Sequence, residues 1–491
     1  MAQAINIQLH TQIKKHQVSR YLYSHFAEHL GRCIYGGIWV GPGSKIETID
    51  GIRKDAADAL KKLKLPALRW PGGCFADNYH WMDGIGPREK RPKRINLWWK
   101  QAESNQFGTD EFMRFCQLIE TEPYICLNIG SGTVEEARSW VEYCNCDQST
   151  TLAEMRRENG HAEPYDVQFW GIGNENWGCG GQMRPEYYAD LYRRFSTFVR
   201  KTAGDRAKLI ACGSHPGIDN WDEKFLAAMK GAYALVDYLA LHFYSGQGSS
   251  DIHFSDDEYY GLLEAVDGMD QYLGRAIALA RAFSTPEHKI GIILDEWGTW
   301  FKEATVSAGL YQQNTMRDAL FTAASFHCFH NHGQGLFMTN MAQTVNVLQS
   351  LVLTKGSRSV LTPTYHIYDM FRSHRDGILI STDVASPPVK ASRAGNRAAL
   401  SVSATWQEKE NLLFVSIINL DLEQDFSVNL KFGDNSNWQI RQIKQLAADD
   451  IRAHNSFEVP EKLVPVEIKA TNANVAIPAM SVTTLRLQPG M

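Results

Sequence analysis

Val167-Gln168-Phe169-Trp170-Gly171-Ile172-Gly173-Asn174-Glu175-Asn176-Trp177 is a short apolar, aromatic-rich run that stops abruptly at polar residues. A run of this kind predicts a strand. The pattern recurs along the chain, with candidate strands ending near Glu28, Arg69, Asn128, Asn174, Gly213, His242, Asp295 and Asn340. Helical periodicity between them predicts helices over Asp55–Lys64, Thr109–Leu118, Thr133–Cys144 and Pro185–Thr202. The last begins with a proline, whose missing N–H costs little in a first turn. Eight strands alternating with helices predict a (β/α)8 barrel of TIM type. A doubly wound open sheet would alternate in the same way, but no Gly-x-Gly-x-x-Gly opens a helix after the first strand.

Beyond about Met370 the texture changes. Ala398–Thr405, Leu412–Asn419, Asp425–Phe432 and Met480–Leu487 are short, alternating and rich in Val, Ile, Leu, Ser and Thr, with turn residues such as Gly433-Asp434-Asn435 between them. This predicts a C-terminal β-sandwich. The run Ile5-Asn6-Ile7-Gln8-Leu9 alternates too and is expected to add an N-terminal strand to it. The expected division is 1–18 for that strand, 19–370 for the barrel and 371–491 for the sandwich.

With 491 residues the chain is long enough for two domains. A net charge of −5 and the lack of a basic stripe argue against nucleic acid or anionic membrane as partners. The first twenty residues hold no apolar run of signal-peptide length, and nothing later approaches the roughly 20 apolar residues of a spanning helix. A cytoplasmic protein is expected. The nine cysteines are scattered and odd in number, so they read as reduced thiols. Cys144 and Cys146 lack a second pair at zinc-ribbon spacing.

Polar residues sit at the strand ends, where barrel enzymes keep their active sites. The seventh strand, Ile290-Gly291-Ile292-Ile293-Leu294-Asp295-Glu296-Trp297-Gly298, ends like the fourth: a glutamate closes the apolar run and a tryptophan follows within two positions. Strands four and seven lie on roughly opposite sides of a barrel, so Glu175 and Glu296 can face one sugar. Retaining glycosidases need such a pair, one carboxylate as nucleophile and the other as acid and then base. Structural ion pairing at the rim would explain one such glutamate, but explains two poorly. Asn174 can donate to a sugar 2-hydroxyl. In Arg69-Trp70-Pro71-Gly72-Gly73-Cys74, Arg69 can hold the nucleophile ionised, and the glycines allow close backbone approach. Glu28 and Tyr244 are further candidates, the tyrosine as a hydrogen-bond donor to the nucleophile. Trp70, Trp81, Trp98, Trp99, Trp177, Trp297 and Trp300 lie in or near these motifs, as stacking platforms or as core. His327, His330 and His332 suggest a metal, but no Glu stands where the zinc-protease motif needs one, and packed histidines are the preferred reading. No Gly-x-Ser-x-Gly elbow marks a serine hydrolase in the barrel region.

Five strings, in order, resemble glycoside hydrolase family 51, the α-L-arabinofuranosidases. They are His25–Tyr35, Arg69–Asp77, Gly171–Gly178, Asp295–Trp300 and Met341–Leu348. The resemblance implies a barrel with a jelly-roll sandwich, Glu175 as acid/base and Glu296 as nucleophile. It also implies that Glu28, Cys74, Asn174, Tyr244 and Gln343 bind arabinofuranose hydroxyls, with Trp98 and Trp300 shaping the pocket. Some relatives carry Asn at the position of Cys74. Ser245–Phe283 is the least family-like segment and is expected to alter the pocket wall. A homo-oligomer, often a hexamer, is implied by the resemblance alone. The expected activity is release of terminal α-L-arabinofuranosyl groups from arabino-oligosaccharides with net retention, with no metal or cofactor. The rivals are a retaining β-xylosidase or endoglucanase on the same barrel, a non-catalytic sugar-binding protein, and a histidine metalloenzyme.

Overall fold

The structure, a computed structural model, describes residues 2–389, 397–433, 437–469 and 474–490. Asp434 and Asn435 of the expected turn lie outside the described residues. After an N-terminal strand β1 (Gln3–Gln17) come eight strands: β2 (Ser24–Phe26), β3 (Ala67–Trp70), β4 (Glu122–Leu127), β5 (Phe169–Ile172), β6 (Lys208–Cys212), β7 (Tyr238–Ser245), β8 (Gly291–Thr299) and β9 (Leu336–Ala342). They close into one barrel, in the order β6-β7-β8-β9-β2-β3-β4-β5. All eight end at or near the positions expected from the sequence. Helices α1 (Lys54–Leu63), α2 (Thr109–Ile119), α3 (Val134–Asn145), α4 (Thr151–Glu158), α5 (Pro185–Ala203), α6 (Trp221–Ala228), α7 (Asp256–Phe283), α8 (Met316–Asn331) and α9 (Pro363–Phe371) complete the barrel region.

The strands are buried on both faces, and their alternation sorts side chains between two cores. Tyr124, Phe169, Ile210, Ile293 and Met338 fill the barrel interior with Ala67, Cys126 and Ala240. The residues beside them, such as Ile125, Trp170, Leu209 and Leu294, pack outward against the helices. One irregularity matters for the site. In the pairing of β7 with β8, Leu241 faces Leu294 but His242 faces Glu296, so Asp295 is an extra residue. A bulge re-aims side chains that a regular strand would send to opposite faces.

The C-terminal strands are β10 (Ile378–Val384), β11 (Leu400–Gln407), β12 (Leu412–Asn419), β13 (Phe426–Phe432), β14 (Trp438–Ala447), β15 (Val466–Ile468), β16 (Val475–Ile477) and β17 (Ser481–Pro489). With β1 they form a nine-stranded set ordered β15-β14-β17-β12-β11-β10-β1-β13-β16. β1 is antiparallel to β10 and parallel to β13, and buries Ile5, Ile7 and Leu9. Gln445 of β14, next to one edge of the set, donates to the carbonyl of Ala476 on β16, the other edge, at 3.0 Å. The ribbon thus folds over itself as a sandwich.

This sandwich packs on α8 and α9. His327 is bonded to Ser401 and Ser416, both at 2.8 Å, and His330 to Tyr23 at 2.6 Å and Ser403 at 2.8 Å. Burial holds His327 neutral, down to about 3. These two histidines are thus packed and hydrogen-bonded, with no ring nitrogen left for a metal. His332 points elsewhere, to Asp270.

Candidate active site

The C-terminal ends of the barrel strands bring Glu175 and Glu296 together. One oxygen of each carboxylate and a ring nitrogen of His242 lie within 4.8 Å of one another. Arg69 Nη1 donates to Glu296 Oε1 at 2.8 Å, and the Tyr244 hydroxyl donates to Oε2 at 2.9 Å. Both oxygens of Glu296 are therefore held. Burial by itself would raise the Glu296 carboxyl, but the His242 imidazolium and the Arg69 guanidinium outweigh it and keep Glu296 below the usual carboxylate range.

His242 was located by sequence only as a strand end, with no role. Its Nδ1 is 2.8 Å from Glu175 Oε1 and 3.6 Å from Glu296 Oε2. Burial opposes its charge, yet the two carboxylates raise its affinity for a proton. The signal was available: His242 and Tyr244 are two apart on a strand, so they share a face. Asp295 was also unassigned. Its carboxylate lies 3.1 Å from Arg69 Nε and accepts from the Tyr124 hydroxyl at 2.8 Å and the Asn340 amide at 2.6 Å. The bulge at Asp295 lets successive acidic side chains reach one arginine.

Arg69 also donates to Asn174 Oδ1, which fixes the amide and leaves its N–H₂ free of that bond. The Asn174 backbone N–H donates to Asp77 at 2.8 Å, and Asp77 also accepts from Ile129 N, Gly130 N and the Asn176 amide. Burial pushes Asp77 up to about 7 in spite of these donors. Asp77 thus ties the loops after β3, β4 and β5 together and sets where Asn174 and Glu175 emerge.

Glu28 lies across the site, 2 % exposed. It accepts from the Phe75 backbone at 3.0 Å, the Trp99 indole at 2.9 Å and the Gln343 amide at 3.2 Å. Burial, and then the charge of Glu296, push its carboxyl up to about 7. A Cβ on Gly73 would lie 2.5 Å from Glu28 Oε2, and one on Gly72 2.9 Å from its Cγ. The Pro-Gly-Gly turn is therefore needed for backbone and carboxylate to pass. Trp98 is 39 % exposed, and it is Trp99 that contacts Glu28. Trp300 packs edge-on against Tyr244 and donates its indole N–H to the Ala304 carbonyl.

Cys74 departs from expectation. It is bonded to Cys179, with sulfurs 2.12 Å apart, so the nine cysteines are not all reduced and Cys74 has no thiol hydrogen to offer a sugar. Their sulfurs flank Glu175 Oε2, at 3.9 Å for Cys74 and 3.5 Å for Cys179. The 105-residue separation hid a pairing that only the fold creates. In the segment Ser245–Phe283, the carbonyls of Ser245 and Ser249 accept from Trp300 N and Lys302 N, and Ser250 bonds Glu303. The start of this segment thus braces the loop after β8, while α7 lies outside the barrel.

Comparison with known proteins points to one family. The model described as the α-L-arabinofuranosidase 1 domain matches residues 59–260, and that of the α-L-arabinofuranosidase C-terminal domain matches residues 295–481. An intracellular exo-α-L-arabinofuranosidase of Bacteroides ovatus is 42 % identical, over 98 % of this chain and 95 % of that one. The crystal structure of the family 51 arabinofuranosidase from Xanthomonas axonopodis pv. citri superposes with a TM-score of 0.93 at 36 % identity, covering 99 % of this chain and 100 % of that one. That of an α-L-arabinofuranosidase from Thermotoga maritima, in complex with arabinose, gives 0.85 at 32 % identity, covering 98 % and 99 %. A carboxylate pair at the ends of barrel strands, and likeness of this extent over nearly the whole chain, lead to one conclusion: the chain belongs to the α-L-arabinofuranosidases of glycoside hydrolase family 51.

Proposed function

We propose that this glycoside hydrolase releases terminal α-L-arabinofuranosyl groups by double displacement, with Glu296 as nucleophile and Glu175 as acid/base. The observation that carries the reading is the separation of the two carboxylates, whose facing oxygens lie within 4.8 Å of each other. Retaining enzymes hold their pair about 5–5.5 Å apart, whereas inverting enzymes leave about 6.5–9.5 Å for a water. Glu296, ionised and held at both oxygens, attacks the anomeric carbon while Glu175 protonates the departing oxygen. Glu175 then takes a proton from water as that water opens the glycosyl–Glu296 ester. Glu28, Gln343 and the Asn174 amide are placed to bind the sugar hydroxyls, with Trp99 and Trp300 as walls. We assign catalysis to residues 19–370 and the sandwich to 371–491 with 1–18.

Among the described residues no helix is long and apolar enough to cross a membrane. That, together with the relative named intracellular, supports a cytoplasmic site of action on short arabino-oligosaccharides. The family likeness supports a homo-oligomer of hexameric type, which light scattering of the purified chain tests.

Proton NMR of an aryl α-L-arabinofuranoside hydrolysate tests the stereochemistry: the retained anomer should appear first, and inverted product would refute double displacement. Glu175→Ala should lose far more rate on substrates with poor leaving groups than on a dinitrophenyl arabinofuranoside. Equal losses on both would remove Glu175 as the acid.

A further inference from the structure

Cys328 and His332 lie one turn apart at the C-terminal end of α8, and both face Asp270 of the neighbouring α7. His332 Nε2 is 2.8 Å from Asp270 Oδ1, and the Cys328 thiol donates to the same oxygen at 3.6 Å. One ligand-capable atom from each side chain lies within 4.8 Å of the others. None of the three takes part in the carboxylate site.

We propose that Asp270, Cys328 and His332 bind a zinc ion through Oδ1, Sγ and Nε2, with water as the fourth ligand. Geometry, charge and access each support this. Zinc bonds of about 2.3 Å to sulfur and about 2.0 Å to nitrogen or oxygen place tetrahedral ligand atoms roughly 3.5 Å apart for S and O, and roughly 3.3 Å apart for N and O. The sulfur–oxygen distance already fits. The nitrogen–oxygen distance must open by about half an ångström, and the Asp270 side chain is 56 % exposed and free to give way. The thiol hydrogen now aims at one carboxylate oxygen that the imidazole also meets, and a dication would take its place between the three groups. A thiolate and a carboxylate together neutralise the two charges of zinc.

Burial and the nearby Asp270 and Asp267 carboxylates raise the Cys328 thiol, so without metal the proton stays on, and binding must release it. A cleft of about 490 Å³, lined in part by Asp267, Cys328, Asn331 and Arg397, reaches the Cys328 side of the site, and the exposed Asp270 side chain opens the other side to solvent. The site joins α7, which precedes β8, to α8, which follows it. Zinc here would clamp the two helices that flank the strand carrying Glu296, so its effect is on stability rather than on the chemical step.

Cobalt titration of the full-length protein, without added reductant, is the test. One equivalent of Co²⁺ should give a near-ultraviolet sulfur-to-cobalt charge-transfer band that Zn²⁺ displaces. Cys328→Ser should abolish the band, and Asp270→Asn should weaken affinity at least about tenfold. Zn²⁺ should raise the thermal midpoint of the parent chain, less that of Asp270→Asn at the same concentration, and not that of Cys328→Ser. Retained arabinofuranosidase turnover shows that the variants fold, and the half-exposed Asp270 makes its variant the safer of the two. No band in the parent, or a band of undiminished affinity in Cys328→Ser, would overturn the proposal. The second result would move thiolate ligation to another cysteine.

Discussion

Replacing His242 by Gln should move the acidic limb of the kcat/KM profile to higher pH. The perturbation removes a positive charge and keeps a side chain able to donate to Glu175. His242 Nδ1 lies 3.6 Å from Glu296 Oε2 and 2.8 Å from Glu175 Oε1. A full charge at the longer distance, with an effective dielectric of about 20, is worth ~4–5 kcal/mol, a ceiling of about three pH units. Water entering the vacated space reduces that, and Arg69 still holds Oε1, so a rise of about one to two pH units is expected. The sign follows from the chemistry. As the proposed nucleophile Glu296 must be ionised to attack, His242 and Arg69 favour its charged form, and losing one cation lets a proton bind at higher pH. The assay is kcat/KM for an aryl α-L-arabinofuranoside across the pH range, because this ratio reports the free enzyme. An acidic limb that stays in place, or moves down, would refute the view that the imidazolium keeps the nucleophile ionised.

Other expectations follow from the same geometry. Gly73→Ala puts a methyl group 2.5 Å from Glu28 Oε2, on a carboxylate that two donors to Oε1 and one to Oε2 prevent from retreating. Overpacking of about 1–3 kcal/mol predicts a roughly 5- to 150-fold loss of kcat/KM, mostly in KM, and an unchanged KM would show that Glu28 does not bind the sugar. Tyr244→Phe removes one donor to a charged acceptor, worth about 1.5–3 kcal/mol, so steady-state kinetics should show a loss of about 10- to 150-fold. Activity equal to the parent would exclude Tyr244 from holding the nucleophile. Glu28, raised to about 7 in the folded chain, favours the native state below its ordinary range, and that advantage is lost as pH rises to about 7. Urea unfolding should therefore show Glu28→Gln gaining stability relative to the parent between those limits, and a pH-independent difference would contradict a raised carboxyl.

How much was legible in the sequence differs from residue to residue. Phe169–Ile172 and Gly291–Thr299 announce themselves as buried strands by apolar composition, and their polar ends mark the rim. Alternation likewise marks β1 and the C-terminal strands, and a proline at the first turn marks the start of α5. These are local properties, fixed by side-chain chemistry within a few residues. The family strings around Glu175 and Glu296 narrowed the sugar to arabinofuranose.

What the sequence could not yield is every relation that depends on register or closure. The disulfide between Cys74 and Cys179 joins residues 105 apart, and nothing local distinguishes them from the other cysteines. Trp98 and Trp99 are adjacent and alike, and only the path of their loop decides that Trp99 meets Glu28. Asp295 and Glu296 would point to opposite faces of a regular strand, and a bulge visible only in the strand pairing, with β7 and with β9 alike, brings both to Arg69. The two glutamates were therefore determined by sequence. The charged frame of Arg69, His242 and Asp295 that holds one of them ionised was decided by tertiary structure, because Coulomb forces act over distances that only the closed barrel defines.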